Sequence, residues 1–136
     1  MKLYGYWRSQ ATYRVRVAMN LKGIPPSDDE ALDLTKGEQY QDAYRKINPQ
    51  CTVPALRTEE GAILADNAAI TAWAEARYRD PPILGTTPLE KAEIASWNWR
   101  IEFEGLLAIA EAMRNTAPAM ANRALAGPAD YAQIPE

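Results

Sequence analysis

The sequence contains no histidine and a single cysteine, Cys51. Without imidazole, Ser-His and Cys-His catalysis and the usual zinc sites are excluded by composition, and no metal cofactor is expected. One cysteine excludes an internal disulfide framework and any Cys-x-x-Cys redox centre within the chain. Long apolar runs are missing as well: none approaches the roughly 18 to 20 residues that span a bilayer. The opening Met1-Lys2-Leu3-Tyr4-Gly5-Tyr6 lacks the charged-then-apolar form of a signal peptide. The expected location is therefore cytoplasmic, with no membrane partner. Nor is there an excess of positive charge. The net charge is -3, with Lys and Arg interspersed among acids, so no phosphate-tracking surface and no nucleic-acid partner are expected.

What is present is the balance of a globular protein, 47% hydrophobic and 24% charged. A length of 136 residues holds one ordinary domain, or a small domain with part of a second. Residues 2 to 7 are aromatic-rich and run into Arg8-Ser9-Gln10, which suits a short buried strand. Val15, Ala18 and Met19 then recur at helical spacing from about Ala11 to Lys22, stopped by Gly23 and Pro25. Ala31-Leu32-Asp33-Leu34 alternates as a second strand. Tyr40, Ala43, Tyr44 and Ile47 predict a second helix ending before Asn48-Pro49. Val53 to Arg57, the turn Glu59-Glu60-Gly61 and Ala62 to Ala65 read as a hairpin. Asp66 or Asn67 caps a third helix carrying Ile70, Trp73, Ala74 and Tyr78. The order β-α-β-α-β-β-α is that of a thioredoxin-like domain with a mixed four-stranded sheet.

Asp80-Pro81-Pro82 ends that unit, residues 83 to 87 form a linker, and residues 88 to 136 change to helical composition. Thr87-Pro88-Leu89-Glu90 supplies cap, first-position proline and capping box for a helical run reaching Pro118. Ile94, Trp97, Ile101 and Ala108 form one apolar stripe; Trp99, Phe103, Leu106, Ala110 and Met113 form another. A helix apolar on two sides belongs to a bundle. The residues after Pro118, with breaks at Gly127-Pro128 and Ile134-Pro135, leave room for little more than one short helix. The chain is expected to be a fragment of a longer protein, the alternative being that another chain covers the helix.

Three separated stretches carry a family resemblance. Tyr6-Trp7-Arg8-Ser9-Gln10-Ala11-Thr12-Tyr13-Arg14-Val15-Arg16 resembles the zeta-class signature of glutathione transferases. Asn48-Pro49-Gln50-Cys51-Thr52-Val53-Pro54-Ala55-Leu56 is similar to the family segment holding a cis-proline. Leu64-Ala65-Asp66-Asn67-Ala68-Ala69-Ile70 looks like the motif that opens its third helix. The resemblance covers residues 1 to 82 and, more loosely, 88 to 136. It implies a thioredoxin-like glutathione-binding domain followed by the first part of an all-α C-terminal domain, with glutathione as co-substrate and a homodimer as assembly. Two departures stand out: the zeta signature has Ser-Ser-Cys-Ser where this chain has Ser9-Gln10-Ala11-Thr12, and Asn67 stands where serine is common.

Glutathione chemistry needs a thiolate, since an ordinary cysteine thiol has a pKa of about 8.5. A serine before a helix is in itself an N-cap. By resemblance Ser9 is the catalytic residue, its hydroxyl and the first-turn N-H groups, including that of Gln10, stabilising the bound sulfur. Tyr4, Tyr6 and Tyr13 are rival hydroxyls that otherwise read as packing residues, with Tyr6 the runner-up. Cys51 reads as a buried, inert thiol. A cis Val53-Pro54 bond would leave the Val53 backbone free to pair with an extended peptide, the alternative being a trans proline in a loop; the resemblance implies that the cysteinyl unit of glutathione pairs there. Asp66 and Asn67 offer an acid for its ammonium and a donor for its carboxylate. By resemblance Gln39 is a further contact, although glutamine is by default a surface residue. Arg8, Arg14 and Arg16 border the site as a positive rim. Trp7, Trp97, Arg100 and Glu104 are expected to line the substrate pocket.

The resemblance implies addition of the glutathione thiol to small electrophiles. The alternative is a glutathione-dependent cis-trans isomerase of a maleyl-type diacid, similar to maleylacetoacetate or maleylpyruvate isomerase, in which glutathione is not consumed. A further alternative is a non-catalytic binding or dimerisation module.

Overall fold

The computed structural model of the chain describes residues 1–134. It divides into two compact units, Met1–Ile83 and a second that begins at Leu84.

The first unit follows the order read from the sequence. Strand β1 (Lys2–Gly5) leads into helix α1 (Gln10–Leu21), strand β2 (Asp28–Ala31), a short helix α2 (Asp42–Arg45), strands β3 (Ala55–Arg57) and β4 (Ile63–Ala65), and helix α3 (Asn67–Arg77). The sheet order is β2-β1-β3-β4, with β1 parallel to β2 and antiparallel to β3, and β3 antiparallel to β4. Side chains alternate across it with the two-residue period of a strand. Leu3 and Leu56 pack with Val15, Met19 and Ile70 of α1 and α3 on one face, while Tyr4 and Ala55 pack with Leu32 and Tyr44 on the other. The thioredoxin-like fold with a mixed four-stranded sheet is therefore the observed one.

Two elements differ from the reading above. The second strand is Asp28–Ala31, not residues 31 to 34. Its acids meet cations there: Lys2 lies opposite Asp28 and pairs with Asp28 and Glu30 at 3.3 and 2.8 Å, and Arg16 of α1 pairs with Asp29 at 2.7 Å. The Glu30 hydrogen bond, above all, raises the Lys2 pKa from its usual value. Asp33 is used instead to cap a 3-10 turn, Leu34–Lys36, where bonding to Thr35 lowers its pKa. The second helix is also not continuous from Tyr40. Gly37 is left-handed (φ 71) and Gln41 extended (ψ 146), so the segment becomes a 3-10 turn, Glu38–Tyr40, and the four-residue α2.

In the second unit, helix α4 (Pro88–Arg100) starts at the capping box read from the sequence. The Glu90 carboxylate accepts from the Thr86 hydroxyl (2.6 Å) and the Thr86 and Thr87 N–H groups (2.8 and 3.1 Å). Those bonds, the hydroxyl foremost, hold its pKa down at about 2. Helical backbone continues through a π-helical stretch, Ile101–Leu107, into α5 (Ala108–Thr116). Trp99 stacks on Phe103 at 3.8 Å between ring centroids. Trp97, Trp99, Ile101, Phe103 and Met113 of the two stripes are exposed. Beyond α5, among the described residues, there is one 3-10 turn, Pro118–Met120. The Gln133 amide donates to the carbonyls of Arg114 (3.0 Å) and Ala117 (2.8 Å), closing the end of α5. Pro135, part of one expected break, and Glu136, the end of the expected helical domain, lie outside the described residues. Among the described residues no helix is long and apolar enough to cross a membrane.

Candidate functional site

The sheet register gathers four segments at one end. Tyr4 stands opposite Ala55, and Ala55 opposite Ala65. The end of β1 therefore lies beside the start of β3 and the end of β4. On the other side the Leu32 N–H donates to the Gly5 carbonyl at 2.8 Å, so the chain leaving β2 departs from the same end. The Tyr6–Ser9 turn, the Val53-Pro54 pair and Asp66-Asn67 are thus brought together by pairing, and the segment that leads to Gln39 starts from the same end.

Ser9 is held by three bonds. Its N–H donates to the Tyr6 carbonyl (3.0 Å), its carbonyl accepts from Tyr13 (2.9 Å), and its Oγ accepts from the Thr12 N–H (3.2 Å). A hydroxyl oxygen that accepts inside a cap keeps its own proton for donation outward. The first two N–H groups of α1, on Gln10 and Ala11, lie beyond reach of intrahelical carbonyls and add the positive end of the helix dipole.

The Val53–Pro54 peptide bond is cis, as expected. Among the described residues the Val53 N–H and carbonyl have no backbone hydrogen-bond partner. The approach to Val53 is fixed by groups that the sequence reading did not single out. The Tyr44 hydroxyl donates to the Thr52 carbonyl at 2.6 Å, and the buried Asn48 amide donates to the same oxygen at 2.8 Å. Asn48 Oδ1 accepts from the Gln50 N–H at 3.1 Å. Burial pushes the Tyr44 hydroxyl up to about 12, outweighing its interaction with Asn48. The only available signal was a polar Asn directly before Pro49, ending an otherwise apolar pattern.

Asp66, rather than Asn67, caps α3: its Oδ1 accepts from the Ala69 N–H at 2.8 Å. Its own N–H donates to the Pro54 carbonyl at 3.2 Å, joining two parts of the site. It does so at φ 65, ψ 159, a region rarely occupied by residues other than glycine. Asn67 follows as the first residue of α3. Gln39 is not the surface glutamine that its type suggests. It is 7% exposed, and its Oε1 is buried without a hydrogen-bond partner.

The remaining sites divide. Tyr4 is buried against Tyr44, with ring centroids 6.0 Å apart, and Tyr13 is exposed. Tyr6 lies edge-on to Trp7 at 6.0 Å. Cys51 is buried, with its thiol directed at the Pro49 carbonyl. The positive rim is narrower than expected: Arg16 is engaged with Asp29 and Arg14 is half-buried, so exposed Arg8 is left beside Ser9. Trp7 is 82% exposed, with the Arg8 guanidinium 5.6 Å from its ring centroid. Trp97, Arg100 and Glu104 belong to the second unit. There Arg100 lies 4.8 Å over the Trp97 ring and 3.5 Å from the Glu104 carboxylate.

A family model described as glutathione S-transferase, N-terminal domain, matches residues 3–82. The chain is 44% identical over 96 residues to maleylacetoacetate isomerase of Pseudomonas aeruginosa, covering 68% of this chain and 44% of that protein. It is 46% identical over 85 residues to maleylpyruvate isomerase of a Ralstonia species, covering 62% of this chain and 39% of the relative. The chain thus spans less than half the length of these relatives. A glutathione S-transferase domain-containing protein of Marinobacter aquaeolei superposes with a TM-score of 0.80 at 29% identity, covering 88% of this chain and 59% of that structure.

Proposed function

Since the chain belongs to the family of glutathione S-transferase N-terminal domains, we propose that it binds glutathione at the shared end of the sheet and uses Ser9 to hold its thiol as the thiolate. Glutathione supplies the nucleophilic sulfur. The protein's part is to bind the peptide, orient it and favour the anion. The observation that carries this reading is the convergence of an outward-donating cap hydroxyl, an unpartnered Val53 backbone and the Asp66-Asn67 pair at one sheet end.

The polar groups present suit that peptide. The Val53 N–H and carbonyl match an extended backbone, as in strand addition. Asp66 has a second carboxylate oxygen for an ammonium, and Asn67 with the start of α3 suits a carboxylate. Gln39 contributes a buried acceptor in need of a donor, the kind of group that a peptide amide satisfies. Ser9 and the Gln10 N–H face the sulfur, and Trp7 with Arg8 borders the place for the electrophile.

For the reaction itself, transfer of the thiol to a small electrophile is the general reading. The relatives' names favour a second, glutathione-dependent isomerisation of a maleyl-type diacid. Exposed Arg8 beside Ser9 suits an acidic substrate. In the whole protein, assembly as a homodimer belongs to the same proposal. The direct test is calorimetric titration with glutathione, followed by the ultraviolet absorbance of bound thiolate against pH. Uptake with a thiol pKa below about 8.5 is expected; absence of uptake would overturn the reading.

A further inference from the structure

Gly5, the last residue of β1, and Thr12, in the first turn of α1, meet directly behind the Tyr6–Ser9 turn. A Cβ on Gly5 would overlap Thr12 Cγ2 and stand 3.3 Å from Thr12 Oγ1. Gly5 is not among the residues with positive φ, so backbone conformation does not require glycine there. Space does, since a glycine inside a strand marks close approach by another group. That group is the Thr12 methyl, on a side chain only 1% exposed. The Thr12 hydroxyl is buried without a hydrogen-bond partner, so the side chain contributes shape and not a polar contact.

Both partners are tied to the site. The Gly5 carbonyl accepts from Leu32, and its strand is in register with β3, which follows Val53-Pro54. Thr12 donates its own N–H to Ser9 Oγ. The residue whose methyl seats α1 on β1 is therefore also the residue whose amide holds the Ser9 hydroxyl. We propose that the Gly5–Thr12 contact is a positioning device, one methyl group deep, that sets the Ser9 hydroxyl relative to the peptide-binding end of the sheet.

The proposal rests on the role of Ser9 above. Thr12 is 1% exposed and both branches of its side chain face Gly5, so a Cβ at position 5 presses on the helix turn whichever of its two helical rotamers Thr12 adopts. Such misplacement acts on chemistry more than on binding. The test uses the whole chain and compares Gly5→Ala, Thr12→Ser, Thr12→Val and the double variant Gly5→Ala/Thr12→Ser. Readouts are glutathione affinity by calorimetry, bound-thiol pKa by ultraviolet absorbance, and folding by circular dichroism. Gly5→Ala and Thr12→Ser should each lower the thiolate fraction at neutral pH by about tenfold, with affinity changed less than about threefold. Thr12→Val keeps the methyl and should match the parent. The double variant, which moves the methyl to the other side of the contact, should recover the parent pKa.

Unchanged thiol pKa in Thr12→Ser, or a double variant no better than its components, would overturn the positioning role. A change in stability alone at unchanged pKa would overturn it too. Should Gly5→Ala fail to fold, the contrast between Thr12→Ser and Thr12→Val decides. If the unaltered chain binds glutathione without lowering its thiol pKa, the Ser9 reading fails, and that outcome is separate from any comparison among variants.

Discussion

Lys22 and Glu75 form an ion pair 2.6 Å long between the ends of α1 and α3, with the lysine side chain entirely buried. The ammonium also donates to the carbonyls of Tyr78 (2.6 Å) and Pro81 (2.8 Å), so its three protons have three acceptors. Glu75 in turn accepts from the Ile83 N–H at 3.1 Å. The two halves of this pair are not equivalent. Glu75 retains contact with water, at 17% exposure, and Lys22 has none.

Removing the carboxylate should therefore cost more than removing the ammonium. Glu75→Ala strands a buried charge and should destabilise the chain by about 3 kcal/mol, at the lower end of the range for a broken buried pair. Lys22→Met leaves a carboxylate that can hydrate, and should cost less. Urea denaturation of both variants, compared at constant m-value, checks the order.

Ser9→Ala should leave glutathione affinity nearly intact, because Val53, Asp66 and Asn67 remain. The bound thiol should titrate at higher pH, and turnover should fall roughly 10² to 10³-fold, by analogy with the loss of one oxyanion donor. The deficit should shrink as pH nears the free-thiol value of about 8.5. Paired pH profiles of thiolate absorbance give the answer; identical profiles would move the search to Tyr6.

Asp66 is both a cap and a proposed ligand for an ammonium, and two substitutions separate the roles. Asp66→Ala should weaken glutathione binding by about 1 to 3 kcal/mol and also cost about 1 kcal/mol of stability as a lost cap. Asp66→Asn keeps the cap while losing the charge, so only affinity should suffer. Calorimetry and thermal melts on the same samples distinguish them.

The Tyr44 hydroxyl ionises at about 12 in the fold, against about 10 in an unfolded chain. A raised folded-state value means that its contribution is complete below pH 10 and is lost as pH climbs toward 12. Tyr44→Phe should lower neutral-pH stability by about 1 kcal/mol, since the Thr52 carbonyl keeps Asn48. The gap between variant and parent should close over that alkaline window. Denaturation midpoints measured from pH 8 to 12 test both statements.

What could be read from the sequence is what local chemistry determines. Thr87 and Glu90 specify their helix start within four residues, and the Glu59-Glu60-Gly61 turn specifies its hairpin. The β2 boundary escaped because its residues Asp28, Asp29 and Glu30 are acidic and exposed, and the ion pairs they make with Lys2 of β1 and Arg16 of α1 are not displayed by sequence spacing. The burial of Gln39 escaped because it depends on Gly37 and Gln41 breaking a helix that side-chain periodicity alone supports. Lys22, beside Gly23, looked like an ordinary helix terminus; its acceptors lie more than fifty positions away in the chain. The Gly5–Thr12 contact was hidden for the same reason that it matters, since the informative feature is an atom that glycine does not have.

The outer position of β2 also bears on how copies of this protein meet. A border strand exposes unpaired peptide groups, and two such borders can zip into a continuous sheet. Here Asp28, Asp29 and Glu30 stand exposed in succession along that border. A second copy approaching strand to strand would bring six carboxylates together around the few cations that Lys2 and Arg16 provide. The charges that pair β2 with Lys2 and Arg16 from within thus give this border of the sheet a self-repelling hem.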